Sequence, residues 1–472
     1  MKPIALNKTL QVQRGVKSRT GPHSSNLSRG GLAVLLFLIA QFVSMSRQFV
    51  MSVLGDNFNQ VAAVVGYGSV ALLPIAMLLY RNNVPREDGL DSEGRGWATL
   101  ILLMATIALF YGLWRGYDLR ESIQDYAPYL VIFAFTHLGA QTRFWRDLQK
   151  LLPHIVALAV LVNILGFDGY ISAITIDDQQ RVARQTLSYF TQATLDLWPL
   201  LLFLSFGRGM LPTITAAGAA AFALLQQILF QKRLGSVYVI FQIFVALIVI
   251  PHIGRKSWPF WRPSHGKAVR VIFFKVGLLA VLTGVLFQPK IVFDQFQGLM
   301  DRFQGRGLHD QTSGSGLLTT ATGENDRIEI ARQLIADFQP LEYLTGRGMG
   351  GHFVNDIKLS ESYQHLREQT EALFLQDVGV FGRREIEIGI LMPFLKGGFI
   401  LFFCYLAGQY LALRRRGICM SNQTSTACWL LLLIENSFLL QGGGFIMSAT
   451  FKLVVIGACL GRCFSKPIPA GF

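Results

Sequence analysis

The sequence has few charged residues for its length. Of its 472 residues only 15% are Asp, Glu, Lys or Arg, whereas soluble domains average about 25%. Hydrophobic residues make up 51% of the chain, and the mean hydropathy is +0.40. A chain of this composition needs a solvent other than water around much of its surface. We therefore exclude a soluble globular enzyme and predict a membrane protein.

Cysteine is also scarce, and no two cysteines have the CxxC spacing. All five lie in the last quarter of the sequence, in or beside apolar segments. This spacing indicates neither a zinc site nor a redox motif. The longest polar stretch contains no cysteine, so we expect it to hold its shape without disulfides. The five are Cys404, Cys419, Cys428, Cys459 and Cys463.

Long apolar runs, in contrast, are abundant. About twenty apolar residues cross the hydrocarbon core of a bilayer as a helix. We predict an all-α polytopic bundle of about twelve transmembrane helices. Ten or eleven are the alternative counts, because two spans are short and only a Gly-Arg-Gly sequence separates the sixth from the seventh. The predicted spans are 31–50, 61–80, 97–114, 127–141, 151–173, 195–211, 212–230, 236–253, 269–287, 386–412, 424–441 and 445–464.

The distribution of basic residues predicts which side of the membrane each loop faces. The 43 Lys and Arg exceed the 29 Asp and Glu, which gives a formal net charge of +14. Nucleic-acid-binding proteins share such a surplus, but here it recurs in alternate loops, as is typical of the cytoplasmic side of membrane proteins. We predict a polytopic membrane protein with cytoplasmic tails at 1–30 and 465–472, in contact with membrane lipids and with no nucleic-acid partner.

A large outer loop at 288–385 is predicted between nine spans at 31–287 and three spans at 386–464. From Gln288 to Ile386 the chain has ten basic and fourteen acidic residues, a net charge of −4 against +18 for the rest. Long loops are usually folded or functional. We predict two amphipathic helices here, ENDRIEIARQLIADF and SESYQHLREQTEALFLQDVG, with the glycine-dense turn LTGRGMGG between them.

Arg327 stands on the apolar face of the first of these helices, in its first turn. A cation there opposes the helix dipole, so helix stability does not explain it. Either Arg327 is an anion ligand turned toward the bundle, or it is a rim residue that snorkels toward water. Arg332 on the same helix is a further candidate for anion binding.

The turn LTGRGMGG has two interpretations. Gly346 and Gly348 allow backbone N–H groups to approach a phosphate, and Arg347 adds a positive charge. Alternatively, the turn is a connector that needs positive φ. It is not a nucleotide-binding Walker loop, because no Lys-Ser/Thr follows it. His352, directly after the turn, is either an acid–base group or a structural hydrogen-bonding residue.

Further charged residues stand at predicted membrane boundaries. Lys232 and Arg233 lie at headgroup depth, where they either bind a lipid phosphate or anchor the chain. Arg383, Arg384 and Glu387 stand where the tenth span begins.

Three more charges lie inside predicted spans, where such residues usually face a polar cavity. They are Lys396, Glu435 and Lys452. An ion pair between Glu435 and Lys452 is the structural alternative to a functional role for those two.

The layout resembles the O-antigen ligase and polysaccharide polymerase family of bacterial envelope glycosyltransferases. The matching sequences are QKRLGS, then NDRIEIARQLIADFQPLEYLTGRGMGG, then EIEIGILMPFLKGGFI, over roughly 230–400. Ligases of the family usually carry a His-Asn pair where this chain has Glu385 and Glu387, so the resemblance favours a polymerase.

The resemblance implies a metal-independent glycosyltransferase of the bacterial cytoplasmic membrane, without a cofactor. Its donor is an oligosaccharide on a polyprenyl diphosphate, such as undecaprenyl diphosphate, and its acceptor is the growing glycan of an O-antigen, capsule or exopolysaccharide. Possible partners are a chain-length regulator and a flippase. It implies catalytic roles for Glu387, His352 and Arg327. The implied diphosphate- or substrate-binding residues are Lys232, Arg233, Arg332, Gly346, Arg347, Gly348, Arg383 and Arg384. The alternatives are ligase-type transfer to lipid or protein and, in another class, a transporter or flippase of lipid-linked sugars.

Overall fold

The protein is described here from a computed structural model. The described residues are 27–45, 58–81, 89–165, 196–204, 210–229, 233–257, 267, 270–272, 274–276, 297, 300, 335–354 except 337, 382–383, 391–420, 422–437 and 450–466. Almost all regular structure within them is helical, which confirms the predicted all-α class.

The helices are given in chain order. They are α1 (Arg29–Met45), α2 (Phe58–Gly68), α3 (Leu72–Arg81), α4 (Ser92–Trp114), α5 (Leu119–Gly139), α6 (Thr142–Leu165), α7 (Trp198–Leu204), α8 (Met210–Leu229), α9 (Arg233–Phe244), α10 (Ile250–Ser257), α11 (Glu342–Thr345), α12 (Met392–Arg414), α13 (Arg416–Cys419), α14 (Gln423–Ser437) and α15 (Thr450–Cys463). A 3₁₀ turn at Ser69–Ala71 joins α2 to α3, and a π-helical turn at Val245–Val249 joins α9 to α10. Strands β1 (Phe353–Val354) and β2 (Gly382–Arg383) pair antiparallel, with Phe353 opposite Arg383.

Four helical stretches of the described chain are long and apolar enough to cross a membrane. They are Val64–Arg81, Ser92–Trp114, Gly235–Lys256 and Met392–Arg414, and Arg29–Met45 is a shorter apolar helix. The exposed surface of α4 is too apolar to face water. Leu100, Leu103, Ile107, Phe110 and Trp114 form an exposed stripe along one face, while its other face is buried. A helix at a water-facing surface would be polar along such a stripe.

The described helices overlap every predicted span except 269–287, where only the helical residues 270–272 and 274–276 are described. The count of twelve spans and their orientation remain predictions. Two helices begin well before their predicted spans: α5 at Leu119 instead of residue 127, and α6 at Thr142 instead of residue 151. For α5 the structure gives the reason. Asp118 caps it by accepting a hydrogen bond from the Glu121 amide at 3.1 Å. The polar residues Ser122 and Asp125 of its first turns are buried against protein, so the apolar pattern begins later than the helix.

The centre of the bundle is built on small residues. Where α5 crosses α15, a Cβ atom on Gly139 would overlap the Ala458 carbonyl, and one on Gly461 would overlap the Thr136 carbonyl. Small residues permit this backbone-to-backbone approach, which is typical of helix packing in membranes. On the other side, the Trp97 indole N–H of α4 donates to the Cys404 carbonyl of α12 at 2.8 Å. The Thr106 hydroxyl of α4 is hydrogen-bonded to the Tyr126 hydroxyl of α5 at 2.9 Å. Helices α4, α5 and α12 are therefore held together, and the candidate site lies where α4 ends and α5 begins.

Candidate functional site

The glycine-dense turn lies directly on the backbones of α4 and α12. Gly348 has φ of +88°, and a Cβ atom on it would lie 2.6 Å from the Cα atom of Gly112 in α4. Gly346 has φ of +66°, and a Cβ atom on it would lie 2.5 Å from the amide nitrogen of Gly397 in α12. Any side chain at these positions would be strained and would push the turn off the helices. Both glycines thus have a packing function.

The backbone N–H groups of the turn point into protein. The Gly346 amide donates to the Glu342 carbonyl at 2.8 Å and the Gly351 amide to the Gly348 carbonyl at 3.1 Å. The residues between them donate to α4, α5 and α12. Arg347 N donates to Leu395 O at 2.8 Å, Gly348 N to Lys396 O at 3.0 Å, Met349 N to Ala108 O at 3.0 Å and Gly350 N to Asp125 Oδ2 at 2.7 Å. These hydrogen bonds dock the turn rather than present its amides to an anion. A diphosphate-binding role for Gly346 and Gly348 stays a prediction.

A buried ion pair lies beneath the turn. The Lys396 Nζ atom of α12 is 2.5 Å from the Asp125 Oδ2 atom of α5, and the two side chains are 1% and 3% exposed. Lys396 also donates to the Gly351 carbonyl at 2.8 Å, and Asp125 also accepts from the Gly350 amide. Burying two charges costs several kcal/mol unless further hydrogen bonds compensate them. Here each charge has such a bond, and the pair joins α5, α12 and the turn.

A second charged group lies at the entrance to the turn. The Arg115 Nη1 atom is 2.6 Å from Glu342 Oε1, and the Arg347 Nε atom is 3.4 Å from Glu342 Oε2. The Gln339 amide donates to Oε2 at 3.1 Å. Burial acts to raise the pKa of Glu342. The hydrogen bonds from Arg115 and Gln339, with the charge of Arg347, outweigh it, and the pKa is lowered.

The two arginines of this group differ in accessibility. The Arg347 side chain is 9% exposed, donates to the His352 carbonyl at 2.7 Å and lies over the Phe338 ring at 5.3 Å. Arg115 is 29% exposed and lies 5.8 and 5.7 Å from the rings of Tyr111 and Tyr117. Arg347 therefore shapes the turn, whereas Arg115 is the arginine that a ligand can reach.

Sequence reasoning missed Arg115, although a signal for it exists. The connection between α4 and α5 falls in a predicted outer loop, where the positive-inside rule makes an arginine unexpected.

His352 lies beside a carboxylate at the same end of α5. Its Nε2 atom is 3.1 Å from the Glu121 Oε2 atom, and the side chains are 27% and 23% exposed. The Tyr117 ring stands edge-on to the imidazole at a centroid distance of 6.2 Å. A carboxylate that fixes an imidazole is suited to proton transfer. The same contact also ties the turn to α5. Glu121 was not among the predicted site residues.

The remaining predicted residues have their side chains outside the described part of the structure. Arg233 begins α9, and Arg383 pairs through its backbone with Phe353, next to His352. Most of the first predicted loop helix and all of the second also lie outside the described residues. Wholly outside are Lys232, Arg327, Arg332, Arg384 and Glu387, and their roles stay predictions.

The predicted ion pair of Glu435 and Lys452 is confirmed. Lys452 Nζ is 3.0 Å from Glu435 Oε2, and the Tyr238 hydroxyl donates to the other oxygen of Glu435. Lys452 also lies over the Tyr238 ring at 5.7 Å. The pair joins α9, α14 and α15, and this contact accounts for both charges without a ligand.

Within the described residues, no group of three or more His, Cys, Asp or Glu side chains is arranged to hold a metal ion. Comparison of the chain with protein-family models, with curated protein sequences and with solved structures gives no match. The functional interpretation therefore depends on the site itself and on the resemblance of its sequence.

Proposed function

We propose that the protein polymerises polyprenyl-diphosphate-linked oligosaccharide repeat units into an O-antigen, capsule or exopolysaccharide. The reaction takes place at the outer face of the cytoplasmic membrane. The proposal includes the twelve spans, the cytoplasmic termini and the outer loop at 288–385. Its support is the family resemblance over roughly 230–400, together with membrane-type helices and a charged site at the junction of α4, α5 and the glycine-dense turn.

The observation that carries the proposal is the position of Arg115. It is an accessible guanidinium at the end of an apolar helix, beside Arg347 and within 2.6 Å of Glu342. A diphosphate leaving group needs cations where its charge develops, and the planar fork of arginine binds two oxygens at once. Arg347 then acts as a positioning residue, because its contacts hold the turn that carries His352.

In the proposed reaction, an acceptor hydroxyl attacks the anomeric carbon of the donor sugar. The bond from that carbon to the diphosphate oxygen breaks, and the lipid diphosphate leaves with the bonding electron pair. The hydroxyl proton passes to a base, for which Glu387 and the His352–Glu121 pair are the candidates. The donor is already activated, so the leaving group requires neither a nucleotide nor a metal ion.

Two alternatives use the same donor differently. A ligase transfers the finished glycan to lipid or protein through the same chemistry. A flippase moves the lipid-linked sugar without consuming it. The flippase is the second candidate, because a transporter of lipid-linked sugars would also have about twelve spans with charged residues inside them.

Proteoliposomes that contain the purified protein and a lipid-linked oligosaccharide separate these functions. We expect longer glycans on the lipid, with the same yield in the presence of EDTA. Glycan attached to an added lipid or protein acceptor would indicate a ligase. Movement of unchanged donor across the bilayer would indicate a flippase, and either result would overturn the polymerase proposal.

A further inference from the structure

Arg462, in the last turn of α15, is a buried arginine without an acidic partner. The residue is 8% exposed. Its Nε atom donates to the Ser425 hydroxyl of α14 at 3.0 Å, and within the described residues no Asp or Glu lies at ion-pair distance from its guanidinium. Arginine stays protonated in proteins. A buried charge is costly unless a counter-charge lies beside it, so this guanidinium is suited to hold an anion.

The Arg462 side chain points to the positive end of another helix. Ser425 is the third residue of α14, and Asn422 caps that helix by accepting a hydrogen bond from the Ser425 amide at 2.8 Å. The amides of Gln423 and Thr424 precede it and have no acceptor within the helix. A helix N-terminus carries a partial positive charge. Two positive groups therefore face each other, and an anion between them stabilises both.

The contact between Arg462 and Ser425 leaves hydrogen-bond donors for a ligand. The guanidinium has five N–H groups, and its bond to Ser425 uses one of them. That bond occupies the Ser425 oxygen as an acceptor, so the proton of this hydroxyl, which belongs to a residue 5% exposed, is left to donate. Among the described atoms, the two terminal nitrogens of Arg462 are not fully enclosed. Their planar fork matches two oxygens of a phosphate.

The carboxylates found at this end of α15 belong to another arginine. The Asp91 amide donates to the Phe464 carbonyl at 3.0 Å, which places Asp91 near the end of α15. Arg415 binds the side chains of both Asp91 and Glu93. These two carboxylates are thus already paired, and neither is a partner for Arg462.

We propose that Arg462, Ser425 and the N-terminus of α14 form a binding site for a phosphate group, carried either by a membrane lipid or by a small soluble molecule. The terminal nitrogens of Arg462 bind two of its oxygens, and the Ser425 hydroxyl and the first amides of α14 donate to the others. The site is separate from the proposed polymerase site and independent of that proposal. Asp91 caps the start of α4 and Arg115 its end, and the 23 residues between them span about 34 Å.

Thermal unfolding of the full-length protein in lipid-free detergent tests a soluble ligand. Sodium phosphate is compared with sodium chloride at equal ionic strength, and the midpoint should rise saturably with phosphate. Ser425→Ala removes the hydroxyl donor and Arg462→Lys removes the fork. Each should need at least about 10-fold more phosphate for half of the rise. Arg416→Met, which removes an exposed charge near the start of α14, should respond like the wild-type protein.

Native mass spectrometry tests a lipid ligand. The protein is released from nanodiscs of phosphatidylglycerol and phosphatidylcholine, and the lipids that stay bound are counted. We expect a retained phospholipid on the wild-type protein and on Arg416→Met that is lost from Ser425→Ala and Arg462→Lys. A response in the first experiment alone identifies a soluble phosphate, a response in the second alone identifies a lipid, and either supports the site.

Phosphate also stabilises proteins in general, because it is excluded from their surfaces, so the comparison of variants decides. The proposal is overturned if neither experiment gives a response, or if Ser425→Ala and Arg462→Lys respond like the wild-type protein, because Arg462 would then be structural only. It is also overturned if Arg416→Met loses as much binding as those two variants. If Arg462→Lys does not fold, Ser425→Ala decides, since it removes a single hydroxyl.

Discussion

The Nζ atom of Lys396 lies 2.5 Å from the Oδ2 atom of Asp125, and both side chains are buried. The contact joins α12 to α5 directly under the glycine-dense turn. Asp125 also accepts from the Gly350 amide and Lys396 donates to the Gly351 carbonyl. The placement of Arg347 and His352 at the site therefore depends on this ion pair.

Removal of the lysine should destabilise the protein. Lys396→Met leaves the buried Asp125 carboxylate without its cation, which typically costs about 3–5 kcal/mol. We expect a lower thermal midpoint and less monodisperse protein on size exclusion. Arg414→Met is the control, because its side chain is 59% exposed and 3.7 Å from Glu93, and such surface pairs contribute about 0–1 kcal/mol. Equal stability of Lys396→Met and the wild-type protein would show that the pair does not form.

Two glycines of α4 should respond in opposite ways to alanine. A Cβ atom on Gly112 would overlap the Met349 carbonyl of the turn, whereas one on Gly96 would meet nothing within 4 Å. Gly112→Ala should displace the turn, with a loss of stability of about 1–3 kcal/mol from overpacking. Gly96→Ala should be neutral or stabilising by up to about 1 kcal/mol, because alanine favours a helix. Thermal unfolding of both variants measures this, and similar midpoints would contradict the docking of the turn on α4.

Glu342 should make stability depend on acid pH. Its pKa is lowered from the ordinary value of 4.5, so its contribution is complete above pH 4.5 and is lost as the pH falls through the folded-state pKa. Glu342→Gln removes a buried charged partner of two arginines, with an expected cost of about 1.5–3 kcal/mol at pH 7. The difference between the wild-type and variant midpoints should be constant from pH 7 to 5 and shrink below 4.5. A difference that grows toward acid pH would contradict the contacts of Glu342.

The ion pair of Glu435 and Lys452 should be structural. Glu435→Gln leaves Lys452 without its counter-charge, so the yield of folded protein should fall. The double variant Glu435→Gln with Lys452→Met should recover part of that yield. Fluorescence-detected size exclusion of both variants measures the effect. An abundant, stable and inactive Glu435→Gln protein would instead make Glu435 a catalytic carboxylate.

Hydropathy and charge were sufficient to predict the helical membrane class and the pairing of Glu435 with Lys452. They did not predict the site in full, for a physical reason. Asp125 lies on the polar face of a helical segment, and that face is turned into the protein. Mean hydropathy averages the two faces of a helix, so it does not show which polar residues are buried. Lys396 was recognised as an interior charge, but its partner is 271 positions away in the sequence, beyond the reach of local patterns.

The glycine-dense turn shows the same limit. Gly346 and Gly348 suggested an anion-binding loop, and only their contacts with Gly397 and Gly112 show how they pack. Patterns along the chain cannot report such contacts.

Glycan elongation by Arg115 variants in proteoliposomes tests the central claim most directly. Arg115→Ala and Arg115→Lys should both elongate a lipid-linked oligosaccharide about 30- to 150-fold more slowly than the wild-type protein, since a lost charge-assisted contact of about 2–3 kcal/mol raises the barrier. Arg120→Ala, which changes an exposed arginine in the first turn of α5, should elongate at the wild-type rate. The account is contradicted if the wild-type protein does not lengthen the glycan, or if Arg115→Ala, at equal protein level, lengthens it as fast as Arg120→Ala.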